Sequence, residues 1–344
     1  MEQTKKYYSE INIARGIAVL LVLLGHSFPD AQTGFLYPGA WWVFDSMYAF
    51  HMALFFMLSG FVTGKKVYAG DGVWKTEVIK KCQRLLVPYL VYSLITMVLK
   101  VFMNDYANNP FRLSDLWKIL IGKNPNGGLW YLWTLFMIFI IVFALSKLMK
   151  KWDDTKKTIF LLGFGVVCYL VYRFLPTGFL NHIFRYMVFY NLGIVCFRYY
   201  DKVKNRLKLW LAIPAIIMVF VLECPFLPIG KPEYFVTAML GSYAILAFAV
   251  MISRNGSGKL FDFFDFAGNY SYDIYVLSYF VQVPIRVIFW RMLGINYWVI
   301  VALMLVCGFV VPVVISKYII RKNGILKKLF IGDWSRIEKR KIPE

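Results

Sequence analysis

The sequence predicts an all-α integral membrane protein, a bundle of about ten transmembrane helices with both termini on the cytoplasmic side. Three observations carry that expectation. Hydrophobic residues make up 60% of the 344 and charged residues only 17%, whereas soluble domains hold about 45–50% apolar and about 25% charged residues. The apolar residues come in blocks close to the roughly 17–25 residues that an α-helix needs to cross a bilayer. Lys and Arg gather between alternate blocks. With the N-terminus inside, 30 of the 39 fall on the cytoplasmic side and nine on the other, which is the bias that orients membrane proteins.

The first block, 13–29, has no small-residue cleavage site after a short apolar core, so it reads as a retained span and not a cleaved leader. Blocks 47–64 and 85–103 follow, with Lys65, Lys66, Lys75, Lys80, Lys81 and Arg84 between and beside them. Residues 104–128, rich in Asn, Gly and Pro, form the largest outer loop. Blocks 129–148 and 158–175 flank five cations in 147–157, and blocks 183–199, 208–222, 234–253, 267–289 and 296–320 complete the set. The two weakest, 183–199 and 267–289, carry Gly, Pro or polar residues, whose backbone is tolerated in lipid only when buried among other helices. An even count returns the chain to its starting side. No loop is long enough to fold alone, so residues 1–344 read as one domain, with 318–344 a short basic cytoplasmic tail.

The net charge of +20 does not imply nucleic acid. The cations sit between spans and in the tail, where they set orientation and meet anionic headgroups. The five cysteines, Cys82, Cys168, Cys196, Cys224 and Cys307, have no paired spacing; they read as small buried hydrophobes, with neither a metal site nor a disulfide framework expected.

Ionisable side chains within a span need a reason. Arg15 alone fits a snorkelling anchor, and His26 alone fits a hydrogen bond to a neighbouring helix. Together they say more. His26 follows Arg15 by eleven residues, about 16 Å along a helix. A guanidinium at the inner face can hold a phosphate, and a neutral imidazole at depth can accept a proton. An acyl coenzyme A, with phosphates at one end, a thioester at the other and pantetheine between, fits that pair. Arg84, after Lys80 and Lys81, adds a second phosphate-binding candidate. His51 opens the second span, placed at a depth similar to His26. Asp30 and Asp45 flank the same outer mouth, either orienting an imidazole or simply solvated. Ser59, in mid-span beside Gly60, reads as a close-packing position. Trp130 and Tyr131 begin the fourth span, where an aromatic belt is expected and where an acceptor sugar could also stack.

Several segments resemble the acyltransferase-3 family of multi-spanning O-acyltransferases. The Arg15–His26 spacing is similar to its first-helix motif. Phe50-His51-Met52-Ala53-Leu54-Phe55-Phe56-Met57-Leu58-Ser59-Gly60-Phe61 resembles its second-helix block, and Lys81-Cys82-Gln83-Arg84-Leu85-Leu86-Val87-Pro88-Tyr89 its basic entry to the third helix. Gly128-Leu129-Trp130-Tyr131-Leu132 is similar to its Trp-Phe-Leu motif, with Tyr for Phe. Gly268-Asn269-Tyr270-Ser271-Tyr272-Asp273-Ile274-Tyr275 resembles its late Ser-Tyr-x-Ile-Tyr motif. The resemblance covers nearly the whole chain in order. It implies a bacterial plasma-membrane enzyme that takes acetyl from acetyl-CoA without a metal and places it on a hydroxyl of a cell-envelope or exported polysaccharide. His26 would be the catalytic base, Arg15 and Arg84 would hold the cofactor, and His51, Asp30, Asp45, Trp130 and Tyr131 would line the site. The late motif usually continues to a His, where Ser278 stands here, so no role passes to that position. Within these 344 residues no soluble hydrolase-like domain like that of some fused members is expected. A competing expectation is a transporter exporting polysaccharide or lipid-linked precursors, although no inverted repeat with matching broken helices is visible.

Overall fold

The computed structural model describes residues 8–31, 34–69, 74–102, 113–227, 233–254 and 256–335. Among them all regular structure is helical. The helices are α1 (Ser9–Ser27), α2 (Pro38–Tyr48), α3 (His51–Ala69), α4 (Trp74–Lys81), α5 (Val87–Phe102), α6 (Trp130–Leu148), α7 (Asp154–Phe174) and α8 (Asn181–Arg198). There follow α9 (Tyr200–Arg206), α10 (Leu209–Leu222), α11 (Tyr234–Ser253), α12 (Lys259–Asn269), α13 (Ser271–Ile285), α14 (Tyr297–Ile315) and α15 (Gly324–Ile331). Wider π turns at Cys82–Leu86, Arg286–Met292 and Ser316–Ile320 join α4 to α5 and prolong α13 and α14.

Eight helical stretches among the described residues are long and apolar enough to cross a membrane, or nine if α9 and α10, bent by 76°, count as one broken span. The expected ten included 183–199, which is α8. His182, Arg185 and Asn191 interrupt its apolar run, and it packs between α3 and α7. Exposed Leu94 and Val98 on α5, Val166 and Val167 on α7, and Ile213 and Ile217 on α10 give the bundle more open apolar surface than water tolerates, which suits lipid contact.

The centre of the bundle is α1, which touches α3, α11, α12, α13 and α14. Its Ile13, Ala14, Ala18 and Leu23 are wholly buried, as are Leu54 and Phe56 of α3. Two glycine pairs set the closest approaches. A Cβ on Gly16 would strike the Phe264 carbonyl of α12, and one on Gly268 would strike the Asn12 carbonyl of α1. Likewise Gly60 of α3 abuts the Tyr190 carbonyl of α8, while Gly193 abuts the Met57 carbonyl. In lipid the hydrophobic effect does not drive helices together, so such small-residue contacts carry much of the packing.

Of the anticipated outer loop, 104–112 lies outside the described residues. The remainder folds back into the bundle. The Tyr89 hydroxyl donates to the Ile119 carbonyl (2.6 Å) and Trp133 Nε1 to that of Leu120 (3.0 Å). Tyr275 donates to the Gly128 carbonyl, and Asn126 is buried. The anticipated tail is also partly folded. Residues up to Ile320 prolong α14, Arg321 pairs with the buried Asp273 of α13 (2.7 Å), and α15 returns to Arg84. Residues 336–344 lie outside the described residues.

Candidate functional site

A cavity of about 330 Å³ opens between α1, α3, α6, the Cys82–Leu86 turn and the α12–α13 junction. Arg15 and Arg84 both line it, although 69 positions separate them in the chain. The Gly16–Gly268 contact holds α1 against α12, so that Arg15 shares the cavity lining with Asn269, Ser271 and Tyr272. Asn12 fastens the same joint, its amide donating to the Asp265 carbonyl (3.0 Å) and to Asn269 Oδ1 (3.1 Å).

Arg84 owes its position to a proline. Pro88 has no N–H and cannot donate to the carbonyl four residues back, which belongs to Arg84. The chain widens into a π turn there, a feature frequent at functional sites, and the Tyr272 hydroxyl donates to the Arg84 carbonyl instead (2.6 Å). The Arg84 guanidinium lies 4.2 Å from the Tyr272 ring centre, and its Nη1 donates to the Ile331 carbonyl at the end of α15 (2.7 Å). Lys81, three residues before Arg84, sets its ammonium 4.9 Å from the centre of the Phe139 ring. The cavity lining therefore carries two cations, Arg15 and Arg84.

Polar and apolar walls meet in the middle. Ser59 Oγ and the Tyr131 hydroxyl share a hydrogen bond (2.9 Å), and both residues line the cavity beside Tyr275 and Phe55. Val22 of α1 and Met52 of α3 are also in the lining. Arg15, Val22 and His26 stand seven and then four residues apart, so they share one face of α1; His51 directly precedes Met52. The two histidines thus lie just beyond the cavity's lining on that side. The Tyr48 ring meets both, its centre 6.4 Å from that of His26 and 4.6 Å from that of His51. His26 is accessible, whereas His51 is buried. His51 Nδ1 donates to the Met47 carbonyl (2.7 Å), which leaves Nε2 of the neutral ring as an acceptor.

The other sequence candidates lie apart from the cavity. Asp30 is buried, with one oxygen accepting from the Leu36 N–H (2.7 Å) and the other from the Tyr297 hydroxyl (2.9 Å). It braces the loop after α1 against α14. Asp45 is half-buried on α2. Trp130, next to the cavity-lining Tyr131, turns to α8 and stacks on His182 with ring centres 4.1 Å apart. Residues that sequence reasoning did not single out as site-lining are Asn12, Asn269, Ser271, Tyr272 and Tyr275, together with Ser59, which had been assigned to packing. The late motif contained four of these; what was missing was a reason to set it opposite Arg15.

Residues 8–317 match the family described as "Acyltransferase domain", Acyl_transf_3. The chain is also similar to "Nodulation protein NolL" of Mesorhizobium japonicum, 27% identical over 142 residues, which are 39% of this chain and 35% of the relative. The chain thus spans about a third of that relative's length. No solved structure matches.

Proposed function

The chain belongs to the acyltransferase-3 family, and on that premise we propose that it is a multi-pass O-acyltransferase of the bacterial plasma membrane. It moves acetyl from cytoplasmic acetyl-CoA to a hydroxyl of a cell-envelope or exported glycan. The observation that carries this reading is the presence of Arg15 and Arg84 in the lining of one cavity, whose α1 face continues to His26. That separation, about 16 Å along the helix, suits a pantetheine arm with its phosphates at the arginines and its thioester near the imidazole. His26 takes the proton of the acceptor hydroxyl as its oxygen attacks the thioester carbon. The carbon–sulfur bond breaks, and the coenzyme A thiolate leaves with the proton returned by His26. His51 and Tyr131 position the reacting groups.

Charge distribution supports ten spans with both termini cytoplasmic, with residues 1–344 acting as one domain. Reporter tags at either terminus are then protected from an external protease in intact cells. Cleavage of one tag only would contradict this topology.

The donor end is tested by equilibrium binding of coenzyme A to purified protein in detergent. Arg15→Ala and Arg84→Ala are each expected to lose about 1.5–3 kcal/mol, the worth of a hydrogen bond to a charged group, which is roughly 10- to 150-fold in Kd. Arg15→Lys restores part of it, because a point charge replaces a planar fork. Unchanged affinity in both alanine variants would return the arginines to an orienting role.

A further inference from the structure

A second cluster of chemistry lies outside the cavity, where α6, α8 and α11 begin together. The Trp130 ring stacks over His182 and over Tyr186, the latter with centres 5.5 Å apart. Beside them the Arg185 guanidinium stands 3.6 Å from the centre of the Tyr234 ring and 5.5 Å from those of Tyr172 and Tyr186. Among the described residues no carboxylate pairs with Arg185. Glu233, next in the chain to Tyr234, is taken by Arg173 (3.0 Å). Arg185 Nε and His182 Nδ1 are both buried without a hydrogen-bond partner.

An aromatic wall offsets part of the cost of a desolvated cation, but it does not satisfy the N–H groups. Unpaired buried donors of this kind are costly and uncommon. The helix starts add to the imbalance. Trp130, Asn181 and Tyr234 are the first residues of helices of 19, 18 and 20 residues, so three positive dipole ends point to one place. The cluster is short of an anion, and the broad faces of Trp130, His182 and Tyr186 suit the apolar face of a sugar ring. It borders the cavity through Tyr131, a lining residue whose ring meets that of Trp130 edge-on with centres 6.5 Å apart.

We infer that this cluster is the acceptor site and that it takes a saccharide bearing an oxyanion. Arg185, His182 and the helix starts meet the anion, and the aromatic faces meet the ring. The inference rests on the acyltransferase reading above, because it gives that reaction its second substrate. The oxyanion is either a carboxylate within the glycan, as in a hexuronate, or the phosphate of a lipid-linked saccharide.

The test is calorimetric binding to purified full-length protein, with no acyl donor present. The probes are a hexuronate trisaccharide, a neutral hexose trisaccharide and a polyprenyl-phosphate-linked hexose. Wild-type protein is expected to bind one of the two anionic probes at least about tenfold more tightly than the neutral one; which of them identifies the source of the oxyanion. Arg185→Gln abolishes the preference, Arg185→Lys keeps part of it, and Trp130→Ala weakens both anionic and neutral saccharides. Equal binding of all three probes by the wild type overturns the inference, as does an anionic preference that survives in Arg185→Gln. His26→Ala, which stops transfer under the proposed function, leaves this binding intact. Acceptor binding and the transfer reaction therefore stand or fall on separate readouts.

Discussion

His26→Ala is expected to reduce acyl transfer by about 10²–10⁴-fold, the usual contribution of a general base, while the protein still folds and binds coenzyme A. The replacement removes a ring that is accessible in the structure, so little packing is lost. Arg15 and Arg84 remain in the cavity lining, so the defect falls on turnover and not on donor affinity. His26→Gln keeps size and polarity but offers an amide that does not take up a proton at neutral pH, and it is expected to fail as fully as alanine. His51→Ala serves as the comparison. His51 is already committed to the Met47 carbonyl through Nδ1 and packs on Tyr48, so its loss lowers the rate less and the melting temperature more. Initial rates of coenzyme A release with saturating acceptor separate the two cases.

Gly60→Val is expected to eliminate the folded protein. A Cβ at this position collides with the backbone oxygen of Tyr190, and at the reciprocal position Gly193 meets that of Met57. Overpacking a core costs about 1–3 kcal/mol when side chains can move aside; here the obstacle is main chain, so α3 and α8 must separate. That interface also holds Tyr190, fully buried with its hydroxyl donating to Thr63 of α3 (2.8 Å), so separation strands polar groups in the interior. Ser59, the neighbour of Gly60, would move with α3 and break its bond to Tyr131. The recovery of monodisperse protein from detergent extracts measures the effect. Normal recovery with an unchanged melting temperature would mean that the α3–α8 contact is looser than described.

Much of this was legible in the sequence because the signals were one-dimensional. Block lengths and the placement of cations pointed to a helical membrane bundle, and a step of eleven residues from Arg15 to His26 is enough to set them on one face of one helix. What was illegible depends on contacts between distant segments. The meeting of Asn12 with Asn269 is made by glycines whose purpose appears only once α1 and α12 touch. Pro88 signals a broken ladder, but not that Tyr272 would satisfy the orphaned Arg84 carbonyl. Asp30 resembles a solvated loop residue until Tyr297, 267 positions away, donates to it. Residues after 112 looked like an open loop because Asn, Gly and Pro suit surface turns; tyrosines of α5 and α13 instead supply donors that let this backbone go inside. For α8 the polar residues that weaken its apolar run, His182 and Arg185, are the ones gathered into the aromatic cluster.

The central claim, transfer of acetyl from acetyl-CoA to a glycan hydroxyl, is tested most directly with the wild-type protein. Purified protein in detergent is incubated with acetyl-labelled acetyl-CoA and a panel of envelope glycans, neutral and anionic. The account predicts label on an acceptor as an alkali-labile ester, formed in step with free coenzyme A and absent in the His26→Ala control. Coenzyme A that is neither bound nor released, with acceptor glycan instead carried across a sealed vesicle containing the protein, would contradict it and identify an exporter.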